Sequence, residues 1–267
     1  MTDTAREHEE LPRPQDVRAQ FSLEGSVCLV TGAASGLGRT IAWGYACQGA
    51  DLVIADLDAE RAESTAAAVR TLGRRAIALG VDVTQEDQVE NMAKESLRAY
   101  GRIDVCVNNA GNNIRKLVLE LTAEDFDQVM SVHARGTFLC ARAVGRHMVE
   151  RRRGKMINLA SIMGHVGAPT IGAYAAAKGA IVQLTKVLAL EWAPYNVQVN
   201  SIAPGHFDTP LTRQLSPESR ALVTENNPQH RFARPEEILG AAVLLASSAS
   251  SFITGASILV DGGWTAR

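Results

Sequence analysis

No apolar run in the 267-residue chain approaches the ~18 residues of a membrane span, so no membrane partner is expected. Charge of neither sign is in surplus. Lys and Arg total 27 against 29 Asp and Glu, a net charge of -2, and no basic stripe appears. The run Arg151-Arg152-Arg153 before Gly154 reads as a solvated helix end, which leaves nucleic-acid binding without support. Cysteine is scarce. Cys28, Cys47, Cys106 and Cys140 sit in apolar segments without metal-ligand spacing, so they read as reduced core thiols and no metal is expected. The first twenty residues are polar, carry Pro12 and Pro14, and lack the apolar region of a secretory signal. The expectation is a flexible N-terminal arm over 1–20 on a cytoplasmic protein.

What remains is 46% hydrophobic and 21% charged, the composition of an ordinary globular chain. Short apolar runs at 26–31, 52–55, 76–79, 103–107, 155–159, 197–202 and 257–260 read as strands. They alternate with helical patterns at 36–48, 58–72, 84–99, 122–149, 172–192 and 235–247. Alternation of this kind predicts one α/β domain over 21–267, with right-handed crossovers, a parallel sheet and helices on both faces. The one long irregular stretch is 204–232, which contains Pro204, Pro210, Pro217 and Pro228. A loop of that length in a compact domain is usually functional, and it is read here as a substrate lid.

The first strand runs into Thr31-Gly32-Ala33-Ala34-Ser35-Gly36-Leu37-Gly38. Glycines between a strand and a helix permit a tight turn and let backbone approach a pyrophosphate at the helix N-terminus. Gly32, Gly36 and Gly38 give G-x-x-x-G-x-G, so Ser35 and Leu37 also belong to the turn. Asp56 closes the second strand, where a carboxylate can bond a ribose 2′-hydroxyl and repel a 2′-phosphate. Ala33, Ala34 and Leu57 supply no cation to offset it, which favours NAD over NADP. A helix N-cap is the other role open to Asp56, and Asp58 is placed to take it.

Tyr174 and Lys178 stand four apart in a helical pattern and share a face. A free tyrosine titrates near ~10 and is a poor base at neutrality. A unit positive charge ~4 Å away contributes roughly 4 kcal/mol at an effective dielectric of ~20. That corresponds to about three pKa units at ~1.36 kcal/mol each. The pair therefore has the makings of a proton shuttle near pH 7.

Several motifs occur together in order. They are the glycine turn, Asp82-Val83, Asn108-Asn109-Ala110-Gly111, Ser161, Tyr174 with Lys178, Pro204-Gly205 and Asp261-Gly262-Gly263-Trp264. From about residue 22 to the end the chain resembles the classical short-chain dehydrogenase/reductase family. The resemblance implies a Rossmann-type doubly wound sheet of seven parallel strands and a homotetramer. It implies that Ser161 and Tyr174 hold the substrate oxygen while Lys178 contacts the nicotinamide ribose and lowers the tyrosine pKa. It further implies that Asp82 and Val83 meet the adenine, that Asn109, Ala110, Gly111, Pro204 and Gly205 line the cofactor trough, and that Thr209 meets the nicotinamide amide.

The family usually carries an asparagine in its fourth long helix, where this chain has His133 in Val132-His133-Ala134-Arg135-Gly136. Histidine also offers a donor and an acceptor. His133 either serves in the proton relay to Lys178 or merely packs. Segments at 109–115, 231–237 and 260–264 resemble the sugar-acid and polyol branch, including gluconate 5-dehydrogenase and 2-deoxygluconate 3-dehydrogenase. Arg115 then either forms a bidentate contact with a substrate carboxylate or faces solvent, which would favour a neutral polyol. Asn113, His165 and His206 are candidates for substrate hydroxyls. The expected activity is NAD-dependent interconversion of a secondary alcohol and a ketone on a polar, polyhydroxylated substrate by hydride transfer. A 3-oxoacyl reductase and a catalytically weak NAD-binding sensor are the alternatives.

Overall fold

The computed structural model describes residues 13–266. Seven strands form one parallel sheet: β1 (Val27–Thr31), β2 (Asp51–Asp56), β3 (Ala76–Gly80), β4 (Val105–Asn108), β5 (Gly154–Leu159), β6 (Val197–Pro204) and β7 (Ser257–Val260). Their order across the sheet is β3-β2-β1-β4-β5-β6-β7, and every neighbouring pair is parallel. Strand order reverses at β1, which pairs with β2 on one side and β4 on the other. Such a switch point opens a crevice at the carboxyl ends of the strands.

Period-two side-chain alternation divides the core. Cys28 and Val30 of β1, Val105 and Val107 of β4, and Ile157 of β5 point to one face. There they meet α2 (Gly36–Cys47), α3 (Ala59–Arg70) and α9 (Leu239–Ala246) through Ile41, Ala66 and Leu245. Leu29, Cys106, Met156 and Val199 point the other way. They meet α4 (Glu86–Tyr100), α6 (Gly136–Glu150) and α7 (Gly172–Trp192) through Met92, Val144 and Leu188. Strands apolar on both faces are what a sheet covered on both sides requires. The buried thiols of Cys28, Cys106 and Cys140 follow from this packing, but Cys47 ends α2 exposed and is not a core thiol.

Four local expectations change. The pattern over 122–149 is not one regular helix. α5 (Ala123–Met130) opens on a capping box between Thr122 and Asp125, then a π-helical turn at Ser131–Arg135 joins it to α6. That wider turn carries His133. The stretch 204–232 is not wholly irregular, because α8 (Pro217–Asn226) lies within it. Its start was written in the chain as Ser216-Pro217-Glu218. Ser216 accepts from the Ser219 N–H, Pro217 needs no amide partner in the first turn, and Glu218 suits the helix dipole. The pattern over 235–247 opens as a 3₁₀ turn, Pro235–Ile238, before α9. Part of the arm expected to be flexible is helical as α1 (Pro14–Ala19), and the Gln20 carbonyl behind it accepts from Ala249 N–H and the Ser248 hydroxyl. Residues 1–12 of that arm lie outside the described residues. Among the described residues no helix is long and apolar enough to cross a membrane.

Candidate active site

The turn after β1 is held by its neighbours across the switch point. The Asn109 side-chain amide donates to the Thr31 and Gly32 carbonyls, each at 2.9 Å. The Thr31 hydroxyl accepts from the Asn109 and Ala110 N–H groups at 3.1 and 3.2 Å. Gly32 and Gly36 both adopt left-handed backbone, with φ of 64° and 54°. A Cβ on Gly32 would lie 2.7 Å from Ala110 Cα, so the close approach excludes any side chain there. Gly38 has a different duty from the one expected. A Cβ on it would intrude on the Gly32 carbonyl and the Asn109 amide, and it packs α2 against the turn rather than lining the cleft. Gly36 likewise shapes the turn without lining the cleft.

A cleft of about 820 Å³ runs from this turn across the strand ends. Gly32, Ser35, Leu37, Asp56, Asp82, Val83, Asn109, Ala110 and Gly111 line it, as do Pro204, Gly205 and Thr209 further along. Its residues suit a dinucleotide. Ser35 precedes α2 without capping it through its side chain, so the first-turn amides of a twelve-residue helix have no side-chain acceptor. Such amides, with the helix dipole behind them, favour a pyrophosphate. Asp56 accepts from the Ala34 N–H at 2.9 Å and the Asp58 N–H at 3.1 Å. A carboxylate has about four acceptor positions, so two remain for ribose hydroxyls. The N-cap role belongs to Asp58, which accepts from Arg61 N–H. No Lys or Arg among the described residues pairs with Asp56. Asp82 is fixed by the Thr84 N–H and hydroxyl, at 2.9 and 2.8 Å.

Ser161, Tyr174 and Lys178 converge where this cleft meets a second cavity of about 300 Å³. Ser161 follows β5 and begins a short 3₁₀ turn, its hydroxyl accepting from the Met163 N–H at 3.1 Å. It stands beside the Tyr174 phenol and acts to lower its pKa. Lys178, one α7 turn beyond Tyr174, sends its ammonium to the Leu159 carbonyl at 2.5 Å and stands 5.5 Å from the Tyr174 ring centroid. The electrostatics depart from expectation. Burial raises the Tyr174 pKa, and Ser161 and the Arg115 charge offset this only in part. Burial also pulls the Lys178 pKa from 10.5 to about 7. The Tyr174 shift thus runs opposite to the one the Tyr-Lys spacing promised, with burial as its first cause.

His133 is 2% exposed and stands edge-on to Tyr174, with ring centroids 5.2 Å apart. Its Nε2 lies 2.7 Å from the Asn112 carbonyl and 3.1 Å from the Asn112 N–H. Nε2 accepts from the Asn112 N–H in one tautomer and donates to the Asn112 carbonyl in the other. Nδ1 is buried and without a protein partner. Burial, and next the Lys178 charge, push the His133 pKa from 6.5 to about 3, against the pull of the Asn112 carbonyl. Burial rather than the Lys178 charge is the larger cause. The ring rests on Gly111, where any Cβ would strike it.

The second cavity gathers Asn113, Arg115, Ser161 and His206. Arg115 is exposed at its edge and has no carboxylate partner among the described residues. His206 packs against Trp264 at 4.6 Å between centroids, and its pKa falls to about 4 through burial and then the Arg115 charge. His165 does not join them. It is exposed, its Nε2 lies 3.0 Å from the Ser257 hydroxyl, and it lines neither cavity. Sequence reasoning missed Met163, Ile171, Leu211, Thr212 and Leu215 in the walls. None belongs to a motif, and only folding brings them to the site. Among the described residues no cluster of His, Cys, Asp or Glu could hold a metal ion.

The depressed His133 pKa makes a prediction about acid stability. Between about 6.5 and about 3 the unfolded chain binds a proton at this position that the folded chain does not. Stability therefore rises with pH across that window and is lost as pH falls through it. His133→Asn removes this titration. In urea titrations its stability should fall less than the parent's between pH 7 and pH 4, and parallel losses would count against a buried, neutral ring.

Comparison with known proteins agrees with this geometry. Residues 32–265 match the family described as enoyl-(acyl carrier protein) reductase. The chain is 40% identical over 245 residues to the 5-keto-D-gluconate 5-reductase of Escherichia coli K12, covering 91% of this chain and 96% of the relative. It is 41% identical over 252 residues to the 2-dehydro-3-deoxy-D-gluconate 5-dehydrogenase of Pseudoalteromonas atlantica, covering 93% and 99%. A crystal structure of gluconate 5-dehydrogenase from Burkholderia cenocepacia J2315 in complex with NADP and tartrate superposes with a TM-score of 0.91. It is 38% identical and covers 94% of this chain and 99% of that one. With the seven-stranded switch-point sheet and the glycine turn, these matches establish that the chain belongs to the short-chain dehydrogenase/reductase family and that sugar-acid dehydrogenases are among its relatives.

Proposed function

We propose that the protein interconverts a secondary alcohol and a ketone on a sugar-acid substrate, with NAD preferred over NADP. The observation that carries this reading is the convergence of Ser161, Tyr174 and Lys178 at the junction of a dinucleotide-shaped cleft and a cavity bordered by the uncompensated Arg115. When bound, an oxidised nicotinamide cofactor supplies an acceptor for the carbon-bound hydrogen and its electron pair, and positive charge in the cleft. Ser161 and Tyr174 hold the substrate oxygen. Tyr174 takes the hydroxyl proton, and Ser161 stabilises the oxygen as its charge develops. Lys178 titrates near 7 and so passes protons at neutrality. His133 Nδ1 shares a hydrogen bond with a water that serves Lys178. Arg115 pairs with the substrate carboxylate, and Asn113 and His206 receive its hydroxyls.

The cofactor preference rests on Asp56, two of whose acceptor positions remain for ribose while its charge repels a 2′-phosphate. NAD should give a kcat/KM at least about tenfold above NADP, a difference of ~1.4 kcal/mol. Asp56→Ala should narrow the gap, and equal use of both cofactors by the parent would remove the assignment.

Tyr174→Phe keeps the ring and loses the acid. Turnover of a sugar acid should fall by ~10²–10⁴, while NAD binding measured by calorimetry stays nearly intact. His133→Leu should lose activity without unfolding, and His133→Asn should retain much of it. If Tyr174→Phe keeps a third of parental activity, or His133→Leu matches the parent across pH 6–9, the corresponding role is wrong.

We also propose a homotetramer. Phe126 and Phe138 on α5 and α6, and Val187 and Leu190 on α7, remain exposed on helices that bury their other faces. Apolar residues of this size on adjacent helices suit closed symmetric pairing. Light scattering at micromolar protein should give a mass several-fold above the 28.6 kDa monomer, and a monomeric mass would refute it.

A further inference from the structure

The segment between Asp208 and Phe232 carries one wall of the second cavity, through Leu211, Thr212, Gln214 and Leu215. Backbone closes its neck. Asp208 N–H donates to the Ala233 carbonyl at 2.8 Å, and Ala233 N–H to the His206 carbonyl at 2.9 Å. Beyond the wall residues the chain enters α8, and none of the ten residues of that helix is buried. A helix without a buried face gains little from packing, which is where most helical stability in proteins arises. Polar ties must therefore place α8. One lies just past its C-terminal end, where the buried Asn227 amide donates to the Asp261 carbonyl at 3.0 Å. The other is Arg220.

Arg220 is half-buried and meets three separate segments at once. One terminal nitrogen donates to Asp208 Oδ1 at 3.3 Å, and the other to the Thr212 carbonyl at 3.2 Å. The guanidinium carbon stands 4.3 Å from the Phe232 ring centroid, a cation over an aromatic face. Each partner leads to the site. Asp208 precedes Thr209, which lines the cofactor cleft. Thr212 lines both the cleft and the second cavity, and its hydroxyl accepts from the Thr209 N–H at 3.0 Å. Phe232 stands edge-on to His206 of the second cavity, with centroids 6.0 Å apart. Arg220 itself lines neither space. Arg213 also pairs with Asp208, at 3.0 Å, but it is exposed, and among the described residues its side chain meets that carboxylate alone.

We propose that Arg220 is a positioning residue for the substrate. By joining Asp208, Thr212 and Phe232 through one guanidinium, it fixes the Thr212 wall of the second cavity relative to His206. This rests on the dehydrogenase reading above and adds to it a residue outside the site. Ion pairs at the surface contribute little to stability, so the clamp acts on geometry rather than on folding. Ser161, Tyr174 and Lys178 stand after β5 and on α7, which Arg220 does not touch, so the reacting groups are placed without it. Without the clamp, α8 is tied only at Asn227, and the wall loses its fixed place. Wall contacts hold the substrate equally before and during the reaction, and losing such contacts raises KM while sparing kcat.

The test compares Arg220→Met with Arg213→Met in the full chain, with NAD and gluconate as probes. Arg220→Met should raise the gluconate KM at least about tenfold, with kcat and the NAD affinity from calorimetry within about threefold of the parent. Arg213→Met removes the other cation on Asp208 and should leave KM within about threefold. Hydrogen exchange should run at least about tenfold faster over residues 209–227 in Arg220→Met, and at the parental rate in β5 and α7. Parental KM and parental exchange in Arg220→Met would overturn the proposal. An equal rise in KM from Arg213→Met would also overturn it, because the charge on Asp208 and not the bridge would then be the cause. So would a joint loss of kcat, NAD affinity and substrate affinity, which marks general structural damage. If the parent neither oxidises nor binds gluconate, the sugar-acid reading fails by itself and exchange alone decides on Arg220. Faster exchange over 209–227 then supports the clamp, and parental exchange overturns it.

Discussion

The site depends on one side-chain amide. Asn109 joins the end of β4 to the turn after β1 by donating to two consecutive carbonyls, those of Thr31 and Gly32. A turn with two left-handed glycines has little stiffness of its own, because glycine pays more backbone entropy than any other residue. The amide supplies that stiffness, and the Thr31 hydroxyl returns the contact by accepting from the Asn109 and Ala110 N–H groups. The same junction aims the next residues. Asn112 meets His133, Asn113 and Arg115 border the second cavity, and His133 stands against Tyr174. Cofactor turn, substrate wall and tyrosine are thus parts of one connected assembly.

Burial sets the chemistry of that assembly. Lys178, His133 and His206 all have their charged forms disfavoured, and burial is the first cause for each. Tyr174 is pushed the opposite way, again toward neutrality. A site of neutral, buried acids and bases is poised rather than active. Positive charge brought into it acts in a medium of low dielectric, where it shifts a neighbouring phenol far more than in water. The Tyr-Lys spacing alone would have placed the whole shift on the lysine. In the folded protein burial is the first cause of the Tyr174 shift, and it runs the opposite way.

The π-helical turn at Ser131–Arg135 shows how a small irregularity serves this arrangement. It interrupts the run between α5 and α6 at the position of His133, whose ring fills the space over Gly111. A side chain at residue 111 and the imidazole cannot both occupy that space. The glycine of the Asn-Asn-Ala-Gly motif therefore answers to the histidine as well as to the cleft. Interruptions of this kind are frequent at functional positions.

The amino-acid order by itself determined the architecture, because each strand is a short apolar run and each helix a periodic one. With the right-handed crossover rule, little choice of topology remained. It also determined the glycine turn, the Asp56 position and the Ser161, Tyr174 and Lys178 constellation, since each sits in a motif at a strand end or within one helical turn. The Asp58 cap was read and holds, whereas the equally local Ser216-Pro217-Glu218 start was passed over in favour of an irregular loop, and a helix stands there. What only the tertiary structure decided is everything that depends on neighbours distant in the chain. It placed His206 in the cavity and left His165 outside on Ser257, although both follow motif residues closely. It buried Lys178 enough to bring its pKa to about 7 and raised that of Tyr174. It also brought Met163, Ile171, Leu211 and Leu215 together as one apolar wall. Burial is a sum over residues from separate loops, and no spacing within a single segment can state it.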